Sequence, residues 1–185
     1  MMDAEALGRF IDERYHRPGD CLFRMEVLPE YDVSSDEEDF RRWLDGATKP
    51  TWSRKQPWLD TLRRERDNGQ ISRRIRILSA QVTDYERYAC DFGYRYNGAY
   101  EEIRVLHRGE HEIPPGLIER DFWIINDSVV VTMNYDDRGG FQGAKVADSA
   151  ELPGHLRTRD TAWAVAEPFA QWWGRHPELH RKTAA

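Results

Sequence analysis

Two stretches of alternation, far apart in the chain, constrain its fold more than any other feature. In residues 21–28, Cys21, Phe23, Met25 and Val27 fall on one side of an extended backbone and Leu22, Arg24, Glu26 and Leu28 on the other. In residues 70–78, Ile71, Arg73, Ile75 and Ile77 alternate with Ser72, Arg74, Arg76 and Leu78. Successive side chains of a strand point to opposite faces of a sheet, so both stretches read as half-buried strands. If the two are neighbours in one sheet, Arg24, Glu26, Arg74 and Arg76 must meet on one face. A third strand at residues 101–106 is assigned the same way, with Glu102 and Arg104 on the polar side. Phe23, Met25, Val27, Ile75, Ile77, Ile103 and Val105 are then expected together beneath helices.

The remaining elements follow from apolar spacing and from helix and turn signals. Helices are predicted at 4–15, from Ser35 to about Gly46, at 58–67 with Pro57 in the first turn, from Asp84 to about Tyr94, and at 158–173 with a reset at Pro168. Strands are predicted at 121–125 and 128–135 around the turn pair Asn126-Asp127, and near 141–146. The implied fold is α+β: a single antiparallel or mixed sheet of about five or six strands, with helices packed mainly on one face. One globular domain is expected over residues 1–175, with 176–185 as a flexible tail.

Composition narrows the classes. The chain has 185 residues, of which 39% are hydrophobic, with 7 Trp, 8 Tyr and 7 Phe. Disordered chains lack such aromatic content, and no apolar run approaches the roughly 20 residues of a membrane span. The first residues carry no basic head followed by an apolar run, so no secretory signal is expected. Two cysteines, Cys21 and Cys90, suit reduced thiols in the cytoplasm. The net charge is −6, which argues against strong nucleic-acid binding, because that affinity comes largely from neutralised phosphates. The basic block around Arg63, Arg64 and Arg66 reads as the wet side of a helix.

The search for reactive motifs yields little. There is no glycine-rich phosphate loop and no cysteine pair at zinc spacing. His107 with His111, and His176 with His180, read as surface histidines rather than metal ligands. No metal and no cofactor is expected, and no catalytic residue is assigned. The outward face of the sheet is the one constellation to weigh. Arg24, Glu26, Arg74, Arg76, Glu102 and Arg104, with Asp121 or Asp127 from the hairpin, could be a solvated lattice of cross-strand salt bridges. Trp123 and Leu22 on the same face make it partly apolar, as in a binding cleft. Arginines there could hold phosphate or carboxylate, and a carboxylate between them could move a proton.

The segments 21–46, 69–88 and 120–143 resemble an actinobacterial family, family 6879 of the domains of unknown function. The resemblance runs from about residue 19 to 166. Arg24, Glu26 and Tyr31 match an Arg-x-Glu strand followed by a tyrosine. Arg74, Arg76, Asp84 and Tyr85 match an Arg-x-Arg strand and the helix start after it. Asp121, Phe122, Trp123 and Asp127 match an Asp-Phe-Trp strand and a hairpin aspartate. The run Tyr88-Ala89-Cys90-Asp91 departs from the charged stretch expected there. Members are often encoded beside helix-turn-helix regulators, so the resemblance implies a regulatory, toxin-antitoxin-like partnership and supplies no activity. The leading expectation is a non-catalytic cytoplasmic partner of a helix-turn-helix regulator, contacting it through exposed aromatics such as Trp52, Trp58, Trp172 and Trp173. The alternatives are a small RNA- or nucleotide-acting enzyme, with Glu26 or Tyr85 moving the proton and Arg74 and Arg76 holding phosphate, and a sensor of a small anionic ligand. The candidate site is Arg24, Glu26, Tyr31, Arg74, Arg76, Tyr85, Asp121 and Trp123.

Overall fold

The computed structural model describes residues 1–33 and 36–181. Its strands are β1 (Cys21–Glu26), β2 (Ile71–Leu78), β3 (Glu102–His107), β4 (Phe122–Ile125), β5 (Val129–Tyr135), β6 (Phe141–Val146) and the two-residue β7 (Glu167–Pro168). They form one open mixed sheet in the order β6-β5-β4-β1-β2-β3-β7. β1, β2 and β3 run parallel, and the flanking strands are antiparallel. The fold is α+β as expected, but the sheet has seven strands rather than five or six. The extra strand comes from the stretch that reads as one helix over 158–173. Proline in a helix lacks the donor and collides with the preceding turn. Helix α6 (Leu152–Val165) therefore ends, Glu167 and Pro168 pair with β3, and α7 (Phe169–Gly174) begins again.

Register decides which side chains share a face. Arg24 lies opposite Arg74 and Glu26 opposite Arg76, while Trp123 of β4 lies opposite Arg24. The expected meeting of these residues on one face is what the pairing produces. The assignment of β3 is reversed, however. Ile103 pairs with Arg74 and Val105 with Arg76, so these two share the arginine face. Glu102 and Arg104 lie on the other, where Glu102 holds Arg73 at 3.1 Å and Arg104 donates to the Trp163 carbonyl at 3.0 Å. The reason is that both faces of the sheet are covered, and a strand buried on both sides loses the contrast that separates an inner from an outer face.

The remaining helices are α1 (Ala4–Asp12), α2 (Glu37–Leu44), α3 (Trp52–Asp67) and α4 (Asp84–Tyr88). The last runs through a π-helical turn (Ala89–Tyr94) into α5 (Arg95–Asn97). On one face α6 packs Ala162, Leu156 and Trp163 against Phe23, Met25, Ile75 and Ile77. On the other, Cys90, Tyr94, Phe169, Trp172 and Trp173 cover Leu78, Ile103 and Val105, and Leu7 of α1 covers Leu22, Val131 and Met133. Most helices thus sit on the arginine face, opposite to the side predicted for them.

Local details differ from expectation for identifiable reasons. Thr83, not Asp84, caps α4: its hydroxyl accepts from the Glu86 amide and Glu86 closes a capping box. The cap expected at Ser35 lies outside the described residues. Pro57 is internal to α3, and the carbonyl it leaves without a donor is that of Ser53, which is exposed. Asn126 and Asp127 both take positive φ, 51° and 50°, as a two-residue reverse turn requires. In the stretch expected as a flexible tail, Leu179 packs on the α7 cluster, and Arg181 donates to the Trp43 and Leu44 carbonyls at the end of α2. Residues 182–185 lie outside the described residues.

Cys90 is fully buried and burial pushes its thiol far up, whereas Cys21 is half-buried. A native titration with a thiol reagent should count one thiol at most, and both after denaturation. Rapid modification of both without unfolding would contradict this packing.

Candidate functional site

The arginine face is not a wet surface. Arg76 is fully buried, and Arg24 and Arg74 are 5% and 9% exposed. Three buried cations need three sets of acceptors. Arg24 donates to Glu101 at 2.9 Å and to the Ser72 hydroxyl at 3.2 Å, and its guanidinium lies 4.9 Å from the Trp123 ring. Arg74 binds both Glu101, at 3.1 Å, and Glu26. Arg76 donates to the Leu28 carbonyl and to the Tyr31 hydroxyl at 3.2 Å, with Glu86 at 3.8 Å. Burial opposes the charge on Arg74, yet Glu101 and Glu26 outweigh it and hold its pKa above the ordinary value. Burial likewise pushes Glu101 up, while Arg74 and Arg24 outweigh it and hold the carboxyl below its usual range.

Above this network lies an open cleft of about 1430 Å³. Its floor is Glu26, Arg74, Asp121 and Trp123, and its walls come from α1, α2, α3 and the segment from Tyr85 to Asn97. Of the eight candidate residues, Glu26, Tyr31, Arg74, Tyr85, Asp121 and Trp123 line it. Arg24 and Arg76 stand behind it as supports. The π-helical turn delivers Tyr94 to the floor, where its hydroxyl donates to Glu26 at 2.7 Å. Such turns often mark functional positions. Trp58, 38% exposed, stands on the rim. Trp52 is exposed as expected, but Trp172 and Trp173 are buried in the core and are not available for contact. Asp127 pairs with Arg159 and takes no part in the site.

Two ionisable groups facing the cleft have no ion-pair partner among the described residues. Asp121 accepts from the Val27 amide at 2.8 Å, Tyr31 at 2.6 Å and Tyr135 at 3.2 Å. Burial raises it to about 6. Lys55 donates to Asn97 at 2.8 Å and, at 3.4 Å, to the Gly93 carbonyl, and burial lowers it to about 8. Burial pushes the Tyr85 hydroxyl far above its ordinary value, which removes it as a proton carrier near neutral pH. No group of three or more His, Cys, Asp or Glu among the described residues is placed to hold a metal ion. No helix among them is long and apolar enough to cross a membrane.

A family model described as a domain of unknown function, DUF6879, matches residues 10–174. The chain belongs to that family. The DUF6879 match takes in all seven strands and every residue of the charge network from Arg24 to Asp121. No curated protein and no solved structure matches the chain.

Sequence reasoning missed Glu101, Glu86, Tyr94, Tyr135 and Lys55. Glu101 is the hub that both Arg24 and Arg74 share. A signal for it existed: on the correct parity of β3, residue 101 falls on the same face as Ile103 and Val105. Glu86 was legible as the third residue after Thr83 in a capping box. Lys55 and Tyr135 carry no local signal, because only the packing of α3 and of β5 brings them to the cleft.

Proposed function

We propose that the protein is a non-catalytic binding partner whose cleft receives a segment of a second protein, the helix-turn-helix regulator suggested by the family resemblance being the candidate. The observation that carries this reading is the cleft itself. At about 1430 Å³ it exceeds the roughly 300–1,000 Å³ of small-molecule pockets, and its lining carries the exposed Trp58 and the half-buried Trp123, Tyr135 and Phe141. Aromatic side chains on a preformed groove are the usual anchors of protein–protein contact. The rigid floor favours binding without reorganisation.

The alternatives ask for something the arginines do not offer. A nucleotide-acting enzyme or an anion sensor needs Arg74 and Arg76 free to fork onto phosphate or carboxylate. Arg74 is already held by Glu26 and Glu101, and Arg76 by the Leu28 carbonyl and Tyr31, with Glu86 nearby.

The test is co-expression with a helix-turn-helix regulator of the kind often encoded beside members of this family, with wild type and Trp58→Ala compared. Co-purification with wild type and a loss of roughly 30-fold or more in affinity for Trp58→Ala, the scale of a hot-spot tryptophan, is the expected result. A complex that Trp58→Ala leaves intact would place the contact elsewhere.

A further inference from the structure

We propose that the segment received by this cleft is basic, and that one of its ammonium or guanidinium groups seats against Asp121 beside the rings of Tyr31 and Tyr135. The inference rests on the reading of the cleft as a docking groove. Its first support is the pairing pattern of the floor. Asp121 is 4% exposed and lines the cleft, and its partners among the described residues are the Val27 amide and two tyrosine hydroxyls. Neutral donors soften the burial of a carboxylate but do not match its charge. Its neighbour Glu26 is matched by Arg74. Arg76, the guanidinium whose charge also reaches Asp121, is taken by Tyr31 and the Leu28 carbonyl, with Glu86 at 3.8 Å.

The second support is aromatic. Tyr31 and Tyr135 have ring centroids 5.5 Å apart at 67°, and Tyr31 and Tyr85 lie 6.1 Å apart at 55°. All three rings line the cleft with Asp121. The Arg76 guanidinium already lies 5.2 Å from the Tyr31 ring centroid, and a further cation is attracted to the Tyr135 ring and to the carboxylate together.

The third support is the charge of the approach. A recess of about 550 Å³ adjoins the cleft and shares Tyr31, Val33 and Tyr85 with it. Glu30, Asp32, Asp136 and Asp137 line that recess beside the single guanidinium of Arg138, all exposed, so the carboxylates outnumber the cation there. Gly139 makes this clustering possible. Its φ is +82°, and a side-chain carbon there would come within 2.5 Å of the Glu30 carbonyl. The β5–β6 hairpin can therefore lie directly on the Glu30–Asp32 segment, to which it is tied by the Asp32 amide donating to the Gly139 carbonyl. Lys55 is held by the Asn97 side chain and the Gly93 carbonyl. The protein as a whole is acidic at −6.

The test uses the full chain at neutral pH and three probes: a short fluorescein-labelled peptide of alternating lysine and glycine, its glutamate–glycine counterpart, and spermidine as an unlabelled competitor. The lysine peptide should bind by anisotropy and the glutamate peptide should not. Asp121→Asn should weaken the lysine peptide by roughly tenfold or more. Glu112→Gln, which removes the same charge from an exposed position outside the cleft, should change it by less than about twofold, as exposed charges do. Asp137→Asn, at the exposed mouth, gives a second readout that does not depend on the buried site folding unchanged, with an expected weakening of about threefold. Equal losses for Asp121→Asn and Glu112→Gln would reduce the effect to the general field of an acidic protein and overturn the proposal. So would tighter binding of the glutamate peptide, or spermidine binding as tightly as the peptide, which would make the occupant a small polyamine. If the regulator is retained by wild type and lost with Trp58→Ala while the lysine peptide does not bind, this inference falls and the docking groove stands.

Discussion

Replacing Glu101 by alanine is expected to cost about 3–5 kcal/mol, the range for breaking a buried ion pair by removing one partner. The magnitude follows from what is left behind. Glu101 is fully buried and accepts from Arg24, Arg74 and Ser72. Its removal leaves Arg24 with the Ser72 hydroxyl and the face of Trp123, and Arg74 with Glu26 alone. For a chain of this size the melting temperature should fall by roughly 6–20 °C. Arg73→Ala is the matched control. Arg73 also pairs with a strand glutamate, Glu102, at 3.1 Å, but both side chains are over 40% exposed. That loss should stay under about 1 kcal/mol. Urea melts of the two variants read the contrast directly. A Glu101→Ala protein within 1 kcal/mol of wild type would mean that water reaches the arginines and that the floor of the cleft is not a desolvated network.

The difference between these two pairs also marks how far the sequence could be read. Arg24, Glu26, Arg74 and Arg76 were legible as one face because each strand alternates cleanly and β1 pairs with β2 in the one register that places them side by side. Asp121 and Trp123 joined them through the hairpin's alternation as well as the family pattern, Tyr31 and Tyr85 through the family pattern alone, and all four line the cleft. What could not be read was the covering of that face. Polar residues on one side of a strand normally announce solvent, and here they announce a buried network instead, because Glu101, Glu86 and Glu26 supply the counter-charges from three separate parts of the chain. The parity of β3 failed for the same reason. Ile103 and Val105 are as apolar as Ile75 and Ile77, and nothing in their own stretch says that they lie beneath Trp172 and Tyr94 rather than beneath α6. The break at Pro168 was visible, but that two residues would extend and pair with β3 depends on an open sheet edge that exists only in the fold.

Asp121→Asn is expected to make the free protein more stable at neutral pH while weakening its contact with a basic partner. The group titrates near 6 in the fold against an ordinary value of 3.8, with burial as the main cause. A folded state that holds the proton more tightly than the unfolded chain is favoured by acid. Its advantage is complete below about pH 3.8 and is lost as the pH rises through 6. By pH 7 the ionised carboxylate costs on the order of 3 kcal/mol relative to its state in water. Asparagine removes that cost and keeps an oxygen for the Val27 amide, with an NH₂ that a tyrosine oxygen can accept. The variant should therefore match wild type near pH 4 and exceed it by about 1–3 kcal/mol at pH 7, so that the two stability curves diverge between pH 4 and 6. The slope opposes that of Glu101, whose lowered pKa makes its contribution present above the ordinary carboxylate range and lost as the pH falls. Stability curves of both proteins from pH 4 to 7 separate the cases. If Asp121→Asn is instead destabilised at pH 7 by as much as a buried ion pair would be, then Arg76 already holds Asp121 as its counter-ion, and the cleft has no unmatched charge to offer a partner.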